Sequence, residues 1–236
     1  MTHYDILPPE QKALLPQLSP TRRLGYTLYG GTAIALQLGH RESVDFDFFT
    51  DRPLDEDALK RAIPSLQSAE TTQREPETWT MNVRPSGDGT VVKVSFFGGL
   101  GFGRVGHLST TARGELALAS LDDLMGHKLK VLLQRVEAKD YLDIAAMLRA
   151  GHSLEHGLGA AQAMFGNFPP AEALRALTYF EGGDLARIGP DDRNLLIRSV
   201  QDVNRAAEVP VISRHLGGPP PPGPGGMPPM GYGLGG

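Results

Sequence analysis

The sequence contains no cysteine and no long apolar run. Without cysteine, the 236-residue chain has no disulfide framework, no thiolate metal site and no thiol nucleophile. No segment reaches the length of a transmembrane helix, and the first residues, MTHYDILPPEQKALLP, lack the apolar run of a signal peptide. We therefore expect a cytoplasmic protein with no membrane association.

The chain also carries little net charge of either sign. Its formal charge is −4 at pH 7, from 23 Lys and Arg against 27 Asp and Glu. A protein held on nucleic acid by its overall field would be strongly basic, so any contact with RNA requires a local basic surface. The hydrophobic fraction of 40% is ordinary for a chain that buries a core.

Three regions differ in composition. Residues 217–236, GGPPPPGPGGMPPMGYGLGG, are almost entirely Gly and Pro, which predicts a disordered tail. Residues 1–110 alternate short β-like runs with helices, whereas residues 111–216 contain one helical pattern after another. We predict an α+β protein, with a mixed sheet and flanking helices in the first domain and a helical second domain.

The local patterns also place the individual elements. The predicted strands span residues 26–29, 44–50, 67–73, 78–84 and 90–97, with a hairpin connection at 85–89. The predicted helices span residues 8–18, 32–38, 55–63, 121–134, 139–150, 154–164, 171–179 and 191–207.

A glycine pair, Gly30-Gly31, lies between a predicted strand and a predicted helix. Paired glycines let backbone N–H groups approach a ligand closely, and Thr32 adds a hydroxyl at the helix start. A helix N-terminus of this kind can bind phosphate oxygens. The same three residues also suit a simple capped turn, which the short motif favours when taken alone.

Two carboxylates follow, in the apolar run VDFDFF. Side chains at i and i+2 of a strand share a face, so we expect Asp45 and Asp47 to lie side by side, with Val44, Phe46 and Phe48 pointing the other way. Adjacent carboxylates repel each other unless a cation lies between them, and a divalent cation is the usual solution. The apolar surroundings argue against a pair of solvated acids. We predict a metal-assisted nucleotide site here.

Other polar residues near this strand have more than one interpretation. Ser43 shares the strand face of Asp45, which is consistent with a ligand, a phosphate contact, a modification site or a plain strand-start hydroxyl. Arg41 could reach a phosphate through its planar fork or could pair with Glu42.

The helical region contributes a lysine and two acids. Lys128 lies one helix turn from Leu124 and Leu132, so it could aim at a triphosphate or extend to solvent. Asp140 and Asp143 lie near a helix start, where the helix dipole and a salt bridge would account for them.

Two blocks, GGTAIALQLGHRESVDFDFF and DDLMGHKLKVLLQRVEAKDYLDIAAML, together resemble the AbiEii/AbiGii toxin-like nucleotidyltransferases of the polymerase-β-like superfamily. The resemblance implies a nucleotidyltransferase-type mixed sheet followed by a helical part. It also implies the toxin of a toxin–antitoxin or phage-defence pair, with a possible antitoxin partner. Its implied reaction is Mg2+-dependent transfer of a nucleotide from an NTP to an acceptor hydroxyl, with an RNA or tRNA 3′ end as the expected acceptor.

The resemblance also implies roles for individual residues. It makes Gly30, Gly31, Thr32, Arg41 and Ser43 nucleotide-binding residues, Asp45 and Asp47 metal ligands, and Asp45, Asp47, Lys128, Asp140 and Asp143 catalytic residues.

One position departs from the pattern of the superfamily. Ser95, in the run VKVSFF, stands where a third carboxylate is usual. Asp140 or Asp143 could replace that carboxylate, a single metal ion could bind firmly, or catalysis could have been lost. Loss of catalysis would leave a nucleotide-binding or protein-interaction module. A third possibility is nucleotide transfer to a small molecule, with which the acidic net charge is compatible.

Overall fold

The computed structural model describes residues 1–85 and 90–218 of the chain. Most of the predicted hairpin connection (residues 86–89) and most of the predicted tail (residues 219–236) lie outside the described residues. Within the described part, the fold is α+β, as predicted: a mixed seven-stranded sheet is followed by five helices.

The sheet has the strand order β3-β4-β5-β2-β1-β7-β6. In chain order its strands are β1 (Thr27–Tyr29), β2 (Asp45–Phe49), β3 (Glu70–Glu75), β4 (Thr78–Val83), β5 (Val92–Phe97), β6 (Ser109–Thr110) and β7 (Ala117–Leu118).

The helices flank this sheet and continue beyond it. They are α1 (Pro9–Leu14), α2 (Pro20–Arg23), α3 (Gly30–Leu38), α4 (Glu56–Ala62), α5 (Leu121–Leu132), α6 (Ala138–Arg149), α7 (Leu154–Phe165), α8 (Pro170–Thr178) and α9 (Pro190–Gln201). Within the described residues, no helix has the length and apolar character needed to cross a membrane.

The sheet has an apolar face and a polar face, and the side chains of its central strand, β2, alternate between the two. Phe46 and Phe48 are buried, and Phe48 stacks on Phe96 of β5 with ring centroids 5.2 Å apart. Helix α4 contributes to this apolar side, where Lys60 lies 4.9 Å from the ring centroid of Trp79 on β4. Because side chains alternate along each strand, the opposite face receives the polar residues of β2 and β5.

The helical region packs against the glycine-rich end of the sheet. Helix α3 contacts both α5 and α6, so the residues of these two helices come close to β2. Ser120 caps α5, as predicted: its hydroxyl accepts a hydrogen bond from the backbone N–H of Asp123 at 3.0 Å. This arrangement brings the helical region to the polar face of the sheet.

Several predicted boundaries differ from the structure. The helix predicted at 8–18 divides into α1 and a 3-10 turn at Leu15–Leu18, where Pro16 cannot continue an α-helix. Helix α9 ends at Gln201 because the following segment bonds to α7 instead: the N–H groups of Asn204 and Ala207 donate to Glu155.

Two further differences concern the sheet. Val44 precedes β2 and is 58% exposed, so the prediction that it joins the apolar face is wrong. The two-residue strands β6 and β7 were not predicted, because they are too short to show alternation. Because β7 pairs with β1 in parallel, the sheet includes residues beyond position 110. The predicted domain limits at 110 and 216 stay predictions.

Candidate functional site

A cavity of about 310 Å³ opens on the polar face, between β2, the start of α3 and helix α5. Seven of the ten predicted site residues line it: Gly30, Gly31, Arg41, Ser43, Asp45, Asp47 and Lys128. The remaining three, Thr32, Asp140 and Asp143, do not line it.

Asp45 and Asp47 both face this cavity, as their spacing on β2 predicts. Burial raises the pKa of Asp47, and repulsion from Asp45 raises it further. Lys93, Lys128 and the hydroxyl of Ser95 favour the charged form without cancelling the shift. The pair therefore holds negative charge that its surroundings do not fully compensate.

Gly30 allows the carboxylate of Asp47 to lie against the start of α3. Its φ is +70°, in the left-handed region that favours glycine, and a Cβ at this position would lie 2.6 Å from Oδ2 of Asp47. Any side chain at position 30 would strain the backbone and displace that carboxylate. The glycine pair thus permits the close approach of α3 to β2.

Gly31 has a different role, because the guanidinium of Arg41 lies across it. A Cβ at position 31 would collide with Nη2 of Arg41 and would lie 3.3 Å from Oγ of Ser43. The structure therefore holds a cation beside a helix N-terminus, which already carries partial positive charge. An anion between them, such as a phosphate group, would be favoured by both.

Thr32 is buried beneath the cavity rather than facing it. Its hydroxyl donates to the backbone carbonyl of Asp45 and lies 2.8 Å from Oγ of Ser43. In this geometry Thr32 ties the first turn of α3 to β2. Its predicted role in nucleotide binding stays a prediction.

Lys128 is buried between two aspartates of α6. Its Nζ lies 2.7 Å from Oδ1 of Asp140 and 2.7 Å from Oδ2 of Asp143. Asp143 also binds Arg41 through two bonds, from Nε at 2.7 Å and from Nη2 at 2.9 Å, and lies 2.8 Å from Nε2 of His40. The network joins α5 and α6 to the loop that precedes β2.

All four oxygens of these two aspartates have cationic or imidazole partners. Asp140 also accepts from Nε of Arg135 at 2.9 Å. Burial alone would raise the pKa of Asp143, but Lys128, His40 and Arg41 hold it well below its usual range; Arg135 and Lys128 likewise lower the pKa of Asp140. Both acids therefore position cations, and neither lines the cavity. The predicted catalytic role of Asp140 and Asp143 stays a prediction.

The cavity also contains polar residues to which the sequence assigned no role: Glu42, Gln73, Thr80, Lys93, Arg135 and Lys139. Its basic residues are Arg41, Lys93, Lys128, Arg135 and Lys139, and its acidic residues are Glu42, Asp45 and Asp47. Lys93 and Ser95 lie opposite Asp45 and Asp47 on β5. The i, i+2 spacing of Lys93 and Ser95 could have indicated that both side chains lie on one face of the strand. No sequence pattern indicated that Gln73 and Thr80 belong to the site.

His127 forms a buried part of the cavity wall. Its ring packs edge-on against Tyr29 and Phe49, with centroids 5.9 and 5.2 Å away. Burial lowers the pKa of His127 to about 4, and Lys128 contributes in the same direction. Its Nδ1 has no hydrogen-bond partner among residues 1–85 and 90–218. The imidazole is therefore neutral at pH 7.

Comparison with known proteins gives a family match and a match of fold. A family model described as nucleotidyl transferase AbiEii toxin, type IV TA system, matches residues 20–200. An uncharacterized protein of Aquifex aeolicus is 28% identical over 162 residues, which cover 66% of this chain and 74% of that protein.

The similar solved structures have low sequence identity. A crystal structure from H. pylori, of a protein proposed to be a nucleotidyltransferase, has a TM-score of 0.50 at 16% identity and covers 81% of this chain and 90% of its own. MenT4, a nucleotidyltransferase toxin of Mycobacterium tuberculosis, has a TM-score of 0.43 at 13% identity and covers 82% and 92% of the two chains. At these identities, the H. pylori structure supports the fold alone.

The buried, neutral His127 predicts a pH dependence of stability. The unfolded chain binds a proton between pH 6.5 and about 4 that the folded chain does not, so the free energy of unfolding falls as the pH is lowered through this range. The contribution is about 3 kcal/mol. Urea unfolding at several pH values should show a shallower pH slope for His127→Phe than for wild type. The matched variant His107→Phe, at an exposed position, should keep the wild-type slope. Equal slopes in the two variants would contradict a neutral His127.

The buried network predicts a large effect of Asp143→Asn. This change leaves Lys128 and Arg41 with less compensating charge, and we expect the free energy of unfolding to fall by about 3 kcal/mol. The control is Asp122→Asn, because Asp122 pairs with the partly exposed His152 and His156. Its expected cost is below about 1 kcal/mol. Urea unfolding at pH 7 measures both, and similar small losses would contradict the structural role of the network.

Proposed function

The chain belongs to the AbiEii nucleotidyltransferase toxin family of type IV toxin–antitoxin systems, and we propose that it transfers a nucleotide from an NTP to the 3′ end of an RNA, with tRNA as the expected acceptor. Family membership implies a nucleotide substrate and a cognate antitoxin. The observation that carries the proposal is the shared cavity: the carboxylate pair, the glycine-rich helix start and the Lys128 network all meet there.

The carboxylate pair fits a magnesium ion. Mg2+ prefers oxygen ligands and is commonly bound by one or two carboxylates together with substrate phosphates. Asp45 and Asp47 supply two such ligands, and the described residues contain no group of three or more acidic or His side chains arranged to hold a metal without substrate. The raised pKa of Asp47 reflects charge that a cation would compensate. When bound, Mg2+ would neutralise phosphate charge and polarise the α-phosphoryl group.

The end of the cavity at Gly31 and Arg41 suits the phosphates of an NTP. The first N–H groups of a helix have no partner within the helix, and Gly30 and Gly31 at the start of α3 line the cavity. Arg41 lies across Gly31. Lys128 is held by Asp140 and Asp143, so its ammonium is fixed before substrate binds. A fixed cation can stabilise charge that develops on pyrophosphate without reorganising during the reaction. Phe49, Phe97 and Val131 line an apolar part of the wall that suits the nucleoside.

The reaction would be an in-line displacement at the α-phosphorus. The acceptor hydroxyl oxygen forms the new P–O bond, and its proton is lost to water. The bond from the α-phosphorus to the bridging oxygen breaks, and pyrophosphate leaves with that electron pair. Lys128 and Arg41 would stabilise the leaving group, while Asp45 and Asp47 would hold the metal ion that neutralises phosphate charge.

A local basic surface supports RNA as the acceptor. Lys93, Arg135 and Lys139 line the cavity and are exposed, although the whole chain is mildly acidic. Exposed cations of this kind contact phosphodiester groups.

Ser95 favours a second candidate function, nucleotide binding without transfer. Ser95 lies opposite Asp47 on β5, and neither Asp140 nor Asp143 reaches the cavity to replace the missing carboxylate. Calorimetry with each NTP, with and without Mg2+, separates the two functions when combined with a transfer assay. Mg2+-dependent binding without transfer to any RNA would support the second candidate.

The proposal predicts that Asp45→Asn abolishes transfer while leaving the fold intact. The change removes one carboxylate charge from the pair at a half-buried position. The assay is incorporation of radiolabelled nucleotide into total RNA, with circular dichroism to check the fold. Asp57→Asn, on the exposed surface of α4, is the matched control and should retain wild-type activity. Full activity of Asp45→Asn would exclude this site assignment.

A further inference from the structure

A row of polar side chains crosses the sheet from the carboxylate pair to its edge. Asp47 on β2 lies opposite Ser95 on β5, Ser95 lies opposite Thr80 on β4, and Thr80 lies opposite Gln73 on β3. All four line the same cavity. At the usual spacing of about 4.8 Å between strands, the row extends about 14 Å from the carboxylates.

A β-bulge on β3 completes this row. The pairing shifts between Thr71, opposite Met81, and Gln73, opposite Thr80, so Thr72 is the extra residue. Without the bulge, Gln73 would lie opposite Trp79 and would point to the apolar face. The irregularity therefore brings an amide side chain to the polar face at the mouth of the cavity.

The members of the row differ in burial. Thr80 lines the cavity although it is only 4% exposed, and its backbone carbonyl accepts a hydrogen bond from the hydroxyl of Thr72 at 3.3 Å. Gln73 donates through Nε2 to Oε1 of Glu75 at 2.9 Å, which leaves its carbonyl oxygen available. Thr80 and Gln73 therefore both present polar groups to the cavity.

We infer that Ser95, Thr80 and Gln73 form the subsite for the acceptor nucleoside, an inference that rests on the proposed function. In an in-line displacement, the attacking oxygen and the leaving pyrophosphate lie on opposite sides of the α-phosphorus. Pyrophosphate would leave toward Gly31 and Lys128, on the β1 side of β2. The neighbour of β2 on the other side is β5, so the acceptor approaches over Ser95 and the strands beyond it.

The chemistry of the row matches the terminal ribonucleoside of an RNA. Hydroxyl and amide groups are neutral and can both donate and accept, which suits the 2′- and 3′-hydroxyls of a terminal ribose and a base edge. Lys93 lies two residues before Ser95 on the same face and is exposed, so it can meet the phosphodiester group that precedes this nucleoside. A small acceptor without a phosphodiester group would make no use of Lys93.

The test compares Thr80→Val with wild type in steady-state transfer to a synthetic RNA oligonucleotide ending in a ribose. The substitution keeps the β-branched shape and replaces the hydroxyl with a methyl group. We expect the KM for RNA to rise about threefold to tenfold, as for the loss of one hydrogen bond, while the KM for NTP stays unchanged. Gln73→Ala, at an exposed position that tolerates substitution, should change the same constant in the same direction.

Thr78→Val is the matched control, because Thr78 lies two residues away on β4 and does not line the cavity. It should leave both constants at wild-type values. An unchanged KM for RNA in both cavity variants, or an equal rise in the KM for NTP, would overturn the inference while leaving the proposed function in place. Failure of the proposed function would appear instead in the wild-type protein, as no NTP binding or no transfer to RNA. That result would overturn the subsite as well.

Discussion

The site depends on a lysine that is buried between two carboxylates. Moving Lys128 out of water costs several kcal/mol, and the chain compensates with Asp140 and Asp143, each 2.7 Å from its Nζ. Buried ion pairs contribute little net stability compared with apolar packing, so their main effect is to fix geometry. Here the fixed elements are α5, α6 and the loop that carries Arg41. The bidentate contact of Arg41 with Asp143 connects residues 102 positions apart in the chain, which joins the loop before β2 to the helical region.

The charges on the two sides of the cavity are balanced differently. In the Lys128 network, each carboxylate oxygen of Asp140 and Asp143 already has a cationic or imidazole partner, and we call this the closed side. The negative charge of Asp45 and Asp47 is only partly compensated, so the pKa of Asp47 is raised. We call this pair the open side. If a cation and a triphosphate bound together, the cation would compensate the charge of Asp45 and Asp47. The triphosphate would contact the cations of the closed side. Ser95, opposite Asp47 on β5, carries no charge, so it adds no third carboxylate to the open side. Nucleotide binding without transfer is the second candidate for this reason.

Local sequence patterns predicted much of this arrangement, but not its long-range contacts. The i, i+2 spacing placed Asp45 and Asp47 on one face, and the capping pattern placed Ser120 at the start of α5. Alternation cannot reveal that the hydroxyl of Thr32 bonds to the backbone of Asp45, or that Asp143 binds Arg41, because those contacts depend on how distant elements pack. The bulge at Thr72 was equally hidden, since one extra residue reverses the face assigned to Gln73.

The most direct test of the central claim is calorimetric titration of each NTP into wild type and Asp47→Asn, with and without Mg2+. Asp47→Asn removes one charge of the open pair and leaves the Lys128 network untouched. If the carboxylate pair and the cations bind a metal–nucleotide complex together, wild type binds at least one NTP with an affinity that requires Mg2+, and the variant loses that requirement together with most of the affinity. NTP binding of equal strength in both proteins, or binding in wild type that Mg2+ does not change, would contradict the account.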